Sequence, residues 1–187
     1  MKSIKRTALA FILLTLFAFN SETIKTINVE KSVVKWTGYK VTGQHEGTIS
    51  LKTGVLLYEG ETLTGGKFVM DMTTINTTDL EGDYKAKLDG HLKSDDFFGV
   101  STHKLALLNF TSIKEMDGKY AVKGDLTIKG ITNEIAFEMV VSDDAAKAKL
   151  KIDRTKFDVK YGSASFFDNL KDRAIYDQFD LEVNLIF

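Results

Sequence analysis

An all-β fold, an antiparallel up-and-down barrel of about eight strands with one short helical segment between its two halves, is what this sequence predicts. Three observations carry that expectation. From Thr26 onward, polar and apolar residues alternate with period two through most of the chain, as strands with one buried face require. Turn signals such as Asp117-Gly118 and Lys129-Gly130 separate these runs at hairpin spacing. The interval from Leu80 to Val100 alone breaks the rhythm: Leu80, Tyr84, Leu88 and Leu92 recur every four positions, which is helical spacing.

Taken in order, Thr26–Val29 and Val33–Tyr39 read as extended, with Val34, Trp36 and Gly38 sharing a face. Gly43 begins a turn, and Thr48–Lys52 alternates after it. Thr53-Gly54 predicts a tight turn into Val55–Glu59, and Glu59-Gly60-Glu61 another loop. Beyond Gly65-Gly66, the strand Lys67–Met72 sets Phe68, Met70 and Met72 on one side and Lys67, Val69 and Asp71 on the other. The helical interval follows as a flap over one barrel end. Ser94 is expected to cap a second short turn, with Asp95 and Asp96 at its positive end and Phe97-Phe98 directed inward. Strands then resume at Leu105–Lys114, Tyr120–Ile128, Ile131–Val141 and Ala148–Ile152, with Ile135, Phe137 and Met139 on one face. A less regular stretch through Tyr161, Gly162 and Phe166-Phe167 precedes the closing strand Phe179–Phe187.

Composition bounds the function. A chain of 187 residues with 43% hydrophobic and 27% charged side chains suits one folded domain with a real core. The formal net charge of -1 offers no basic field for nucleic acid. Lys2, Lys5 and Arg6 precede the uncharged run Thr7–Phe19, a basic region followed by an apolar stretch of signal-peptide length. That run is short of the roughly 20 apolar residues of a membrane span. Residues 1–20 therefore read as a signal peptide and residues 21–187 as the mature domain, periplasmic or secreted, with no integral membrane span. The mature chain keeps 22 basic against 26 acidic side chains, a charge of -4. Without cysteine there is neither disulfide nor thiolate chemistry, and the absence of proline removes one way of blunting strand edges, which favours closure.

Five stretches in order carry a family resemblance: Val34-Lys35-Trp36-Thr37-Gly38, Gly43-Gln44-His45-Glu46-Gly47, Gly66–Met72, Gly90–Phe98 and Gly124–Thr132, with Ile152–Phe157 and the closing strand following. Together they resemble the YceI family across essentially the whole mature chain. The resemblance implies a lipocalin-like barrel, exported, whose cavity holds an isoprenoid chain such as a polyprenyl quinone or a related amphiphilic lipid, with no cofactor and no catalytic group. Family members are often dimeric, so a homodimer is among its implications. The chain departs from the pattern at Gly99, where an acidic residue is expected after the paired phenylalanines.

Alternation places Trp36, Phe68, Met70, Met72, Leu105, Leu107, Phe137 and Met139 along the tail of such a guest, with Phe97 and Phe98 from the flap. Methionines suit the role because their side chains reshape around irregular ligands. On periodicity alone a dry core is the better reading of the same residues, and only the resemblance moves the balance toward a ligand. His45 and His91 fall within the family-like motifs, where they either fix loops through hydrogen bonds or meet a headgroup at the cavity mouth. His103 reads as solvated. The three histidines lack zinc spacing, no nucleophile elbow is present, and Gly65-Gly66-Lys67 precedes a strand and is no phosphate loop. An enzyme is not expected; the alternative function is a ligand-free secreted interaction module. Asp71 is a candidate acceptor for His45, and Arg154 an ion-pair anchor at a barrel end.

Overall fold

The computed structural model describes residues 21–187, so the expected signal peptide lies outside the described residues. Eight antiparallel strands close into a barrel: β2 (Val33–Lys40), β3 (Gly43–Glu59), β4 (Thr62–Thr77), β5 (Leu105–Met116), β6 (Lys119–Ile128), β7 (Ile131–Val141), β8 (Ala145–Asp153) and β9 (Ile175–Ile186). The order runs β3-β2-β9-β8-β7-β6-β5-β4, and β4 returns to β3. A further strand, β1 (Glu22–Thr26), pairs with Val55–Glu59 of β3. It starts earlier than the expected Thr26–Val29, and Ile27, next in the chain, is buried at this end of the barrel.

Thr53-Gly54 is not a turn. β3 passes straight through it, bent by register shifts near Thr48 and Leu51. Gly54 is there because chain and side chains crowd it: a Cβ would stand 2.9 Å from Ile27 and 3.0 Å from Phe68. The glycine marks a close approach, which a one-dimensional reading takes for a hairpin.

Helix α1 (Gly82–Lys93) joins β4 to the second half. Leu92 is buried and Leu88 half-buried, but Tyr84 is 75% exposed, so the expected four-residue stripe is only partly inward. Steps of four drift around a helix of 3.6 residues per turn. The face that meets the barrel carries Lys85, Leu88, Asp89 and Leu92. Lys85 Nζ donates to the Asn76 side chain, the Thr77 carbonyl and Asp89 at 2.6–2.8 Å. Asp89 Oδ1 accepts from the Thr77 N–H at 2.8 Å, so both peptide groups of the last β4 residue are satisfied by the helix. Ser94 ends α1, its N–H and Oγ both donating to the His91 carbonyl, and the expected second turn follows, with the Ser94 carbonyl accepting from the Phe97 and Gly99 N–H groups; the Ser94 side chain closes the helix and does not cap that turn. Gly99 then takes φ +55°, a left-handed conformation that an acidic residue would adopt only with strain.

Two apolar clusters close the barrel. Ile27, Leu56, Tyr58, Leu63, Val122 and Leu185 fill the end near β1. Leu92, Phe97, Val100, Phe157 and Val159 pack at the helical end.

Candidate functional site

Between these clusters lies a cavity of about 240 Å³, lined almost wholly by carbon. One water needs roughly 10–15 Å³ of such space together with two to four polar partners. The volume is ample and the partners are few, so this is a lumen suited to hydrocarbon.

The walls follow from strand alternation. Trp36, Ile49, Phe68, Met70, Met72, Phe137, Met139, Leu150, Leu181 and Val183 face inward, each from a strand whose next residue is on the opposite side. Phe68 and Phe110 stand 5.4 Å apart between ring centres, and Phe110 and Phe137 5.8 Å, an aromatic ladder across β4, β5 and β7. Trp36 donates its indole N–H to the Thr48 carbonyl at 3.2 Å, leaving only carbon to present to the lumen. At the helical end Phe97 and Phe98 pack edge-on at 5.3 Å, and Phe98 meets Phe179 at 6.5 Å.

Eleven of the twelve residues singled out from the sequence border this cavity: Trp36, His45, Phe68, Met70, Met72, His91, Phe97, Phe98, Leu107, Phe137 and Met139. Leu105 does not, and this expectation is corrected: it is 40% exposed, and the inward face of β5 is Ala106, Leu108 and Phe110. Leu107 touches the cavity from the opposite phase. The run Leu105-Ala106-Leu107-Leu108 has no polar contrast, so alternation could not set its phase; Asn109 outward and Phe110 inward do. Leu126, Ile128, Leu150, Leu181 and Val183 were missed, although the alternation of their strands marks them.

The polar groups at the rim are structural in their bonding. His45 Nδ1 lies 2.9 Å from Asp79 Oδ2, while Asp79 Oδ1 accepts from the Glu46 N–H at 3.2 Å. Asp79, and not Asp71, is therefore the partner of His45; Asp71 Oδ1 instead takes the Thr73 hydroxyl and N–H. Burial pushes the Asp79 carboxyl up, but His45 and the Glu46 N–H outweigh it and hold the group below its ordinary value. His91 packs its ring edge-on against Tyr161 at 4.5 Å and Phe97 at 5.5 Å. His103 is half-buried against Gly99 and Gly130, where solvation was expected. No three His, Asp or Glu side chains among the described residues come together as a metal site.

Arg154 is 2% exposed and makes a clamp: Nη1 to the Val159 carbonyl at 2.6 Å, Nη2 to Ile175 at 3.0 Å and Nε to Tyr176 at 3.0 Å. Its guanidinium also lies 5.5 Å over Phe97. Asp177 is 3.8 Å away, so the expected ion pair is secondary to the carbonyls. Burial lowers the pKa of the group, and Asp177 and Asp153 pull it back.

A model of the YceI-like domain matches residues 25–187. Protein YceI of Escherichia coli O157:H7 is 35% identical over 65 residues, 35% of this chain and 34% of that protein, so the match spans about a third of the curated relative's length. Among solved structures, Burkholderia cenocepacia BcnA superposes with a TM-score of 0.69 at 19% identity, over 86% of this chain and 99% of the other. A polyisoprenoid binding domain from Saccharophagus degradans gives 0.60 at 15% identity, over 86% and 95%. The Campylobacter jejuni YCEI protein gives 0.52 at 14% identity, over 98% and 96%. At these identities the structures testify to the fold.

Proposed function

Since the chain belongs to the YceI-like family, we propose that its lumen holds the tail of an amphiphilic lipid, an isoprenoid chain, and that the protein is an exported carrier of it. The observation that carries this reading is the carbon-lined cavity left open between two well-packed ends. A folded core of this size would normally close to the density of an organic crystal. Moving a hydrocarbon tail from water into the lumen yields about 0.8 kcal/mol for each buried CH2, which a chain of several isoprene units multiplies beyond the cost of ordering it.

The headgroup end of such a guest would lie at the rim, beside His45 and Tyr39, where polar atoms first meet the lumen. Export rests on the sequence of residues 1–20 and on the family. No helix among the described residues is long and apolar enough to cross a membrane. Carriage of a lipid needs no catalytic group.

The test uses Trp36, the one tryptophan, whose ring borders the cavity. Titrating the purified mature protein with detergent-dispersed polyprenyl benzoquinone should quench its emission saturably, because a quinone within the lumen accepts energy or an electron from the indole. Absence of saturable quenching would favour the ligand-free interaction module.

A further inference from the structure

Resting on the carrier reading and deepening it, we infer that the lumen opens through a slot between β2 and β9, and that the slot's aromatic margin seats on a lipid bilayer from which the guest enters. β2 and β9 pair in register as far as Gly38 with Phe179, then resume at Lys40 with Ile175. Tyr176, Asp177 and Gln178 therefore stand opposite Tyr39 alone, a bulge that interrupts the ladder before pairing resumes. The carbonyls of Ile175 and Tyr176 at this break are taken by buried Arg154, so the irregularity is a built feature with a side chain dedicated to it. The cavity reaches it: Gly38, Tyr39, Lys40, Tyr176 and Gln178 all border the lumen. A Cβ placed on Gly38 would meet nothing within 4 Å.

Outside the polar lining that Lys151, Asp153, Asp177 and Gln178 give the slot itself, large apolar side chains are exposed nearby. Val41, Tyr161, Phe166, Phe167 and Tyr176 are each about half exposed. They belong to one assembly, since the Ile175 N–H donates to the Gly162 carbonyl, Ser165 Oγ to Asp177, and the Val41 N–H to the Ala174 carbonyl. Aromatic side chains of this kind settle at the interface between headgroups and acyl chains. The occupant follows from what the slot opens into. A tail bound for an apolar lumen would have to cross water unless the mouth touches the layer that holds it, and a protein seated there would cap the passage. Charge is mixed in the segments that border the slot, where Lys40, Lys151, Lys160, Lys171 and Arg173 stand in the chain among Asp153, Asp158, Asp168, Asp172 and Asp177, so no field of one sign draws the contact.

Phosphatidylcholine vesicles carrying polyprenyl benzoquinone supply the test, with Trp36 quenching as the readout. The doubly substituted Phe166→Ser/Phe167→Ser protein alters only exposed side chains. It should take up quinone from vesicles at least about tenfold more slowly than the native protein, while binding detergent-dispersed quinone to the same extent. Native uptake should change little between about 0.1 M and about 1 M NaCl. Gly38→Phe, which fills the slot at a position with room, should slow uptake from both sources without lowering the melting temperature. Equal vesicle rates for the native and doubly substituted proteins would overturn the docking, as would a self-association that the double substitution abolishes without slowing uptake. Failure of the native protein to be quenched from either source would overturn the carrier reading and the docking with it.

Discussion

Arg154 Nε donates to the Tyr176 carbonyl at 3.0 Å across 22 positions of sequence, and with its other two bonds it ties the turn after β8 to the start of β9. Three peptide carbonyls in a buried place depend on one side chain.

Arg154→Met keeps the aliphatic bulk and removes every donor. Left-over buried acceptors and lost charge-assisted bonds together should cost about 3 kcal/mol. For a chain of this size that is a fall in melting temperature of roughly 6–12 °C. Thermal denaturation followed by circular dichroism checks it; a melting point within about 2 °C of the native one would mean the carbonyls find other partners.

Asp89 anchors α1 to β4 through Thr77 and Lys85. Burial raises its carboxyl, but the Lys85 and Thr77 bonds outweigh burial and hold it below the ordinary value. The native state thus favours the ionised form, so its contribution is present above the unfolded pKa of about 3.9 and is lost as pH falls through the lower folded value. Asp79 acts in the same direction. Asp89→Asn should lower stability at pH 7 by about 1 kcal/mol, an amount kept small by partial exposure of the pair. Its stability should also fall less steeply in acid than that of the native protein. Urea midpoints between pH 7 and pH 3 measure both effects.

Gly47 lies where the Asn76 carbonyl and the Trp36 indole close in from either side. Gly47→Ala has nowhere to put a methyl group except by moving the β3–β4 ladder or the tryptophan. We expect a loss of about 3 kcal/mol and a shifted Trp36 emission maximum. Gly90→Ala, on a helix with open space around it, is the control and should be neutral or slightly stabilising.

Ala148 borders the lumen from β8, between inward-facing Ala146, of its own size, and the larger Leu150. Ala148→Phe puts a ring into the space assigned to the guest. Quinone affinity should drop by at least about tenfold while the fold survives, because the ring enters a void and not a packed contact. Unchanged affinity with an unchanged melting point would place the guest elsewhere.

Much of this architecture was readable in one dimension because an eight-stranded barrel repeats a single rule, one face in and one out. Phe68, Met70 and Met72 on β4, and Phe137 and Met139 on β7, border the lumen as that rule requires. Where the rule has no contrast to act on, as in Leu105-Ala106-Leu107-Leu108, the phase slipped by one residue. Gly54 was misplaced because a glycine forced by crowding from Ile27 and Phe68 is spelled like a glycine in a turn. The pairing of His45 with Asp79, the Arg154 clamp and the β2–β9 slot are long-range relationships. Each joins residues far apart in the chain, and the register shift at the slot leaves no local trace in the sequence.

The central claim, that a lipid tail occupies the lumen, is tested most directly by native mass spectrometry of the intact purified protein, followed by organic extraction of whatever it carries. The expected result is a non-covalent adduct whose extracted mass is that of an isoprenoid or comparable long-chain lipid, lost in Ala148→Phe. A protein that appears only at its bare mass, and stays so after incubation with polyprenyl benzoquinone, would contradict it.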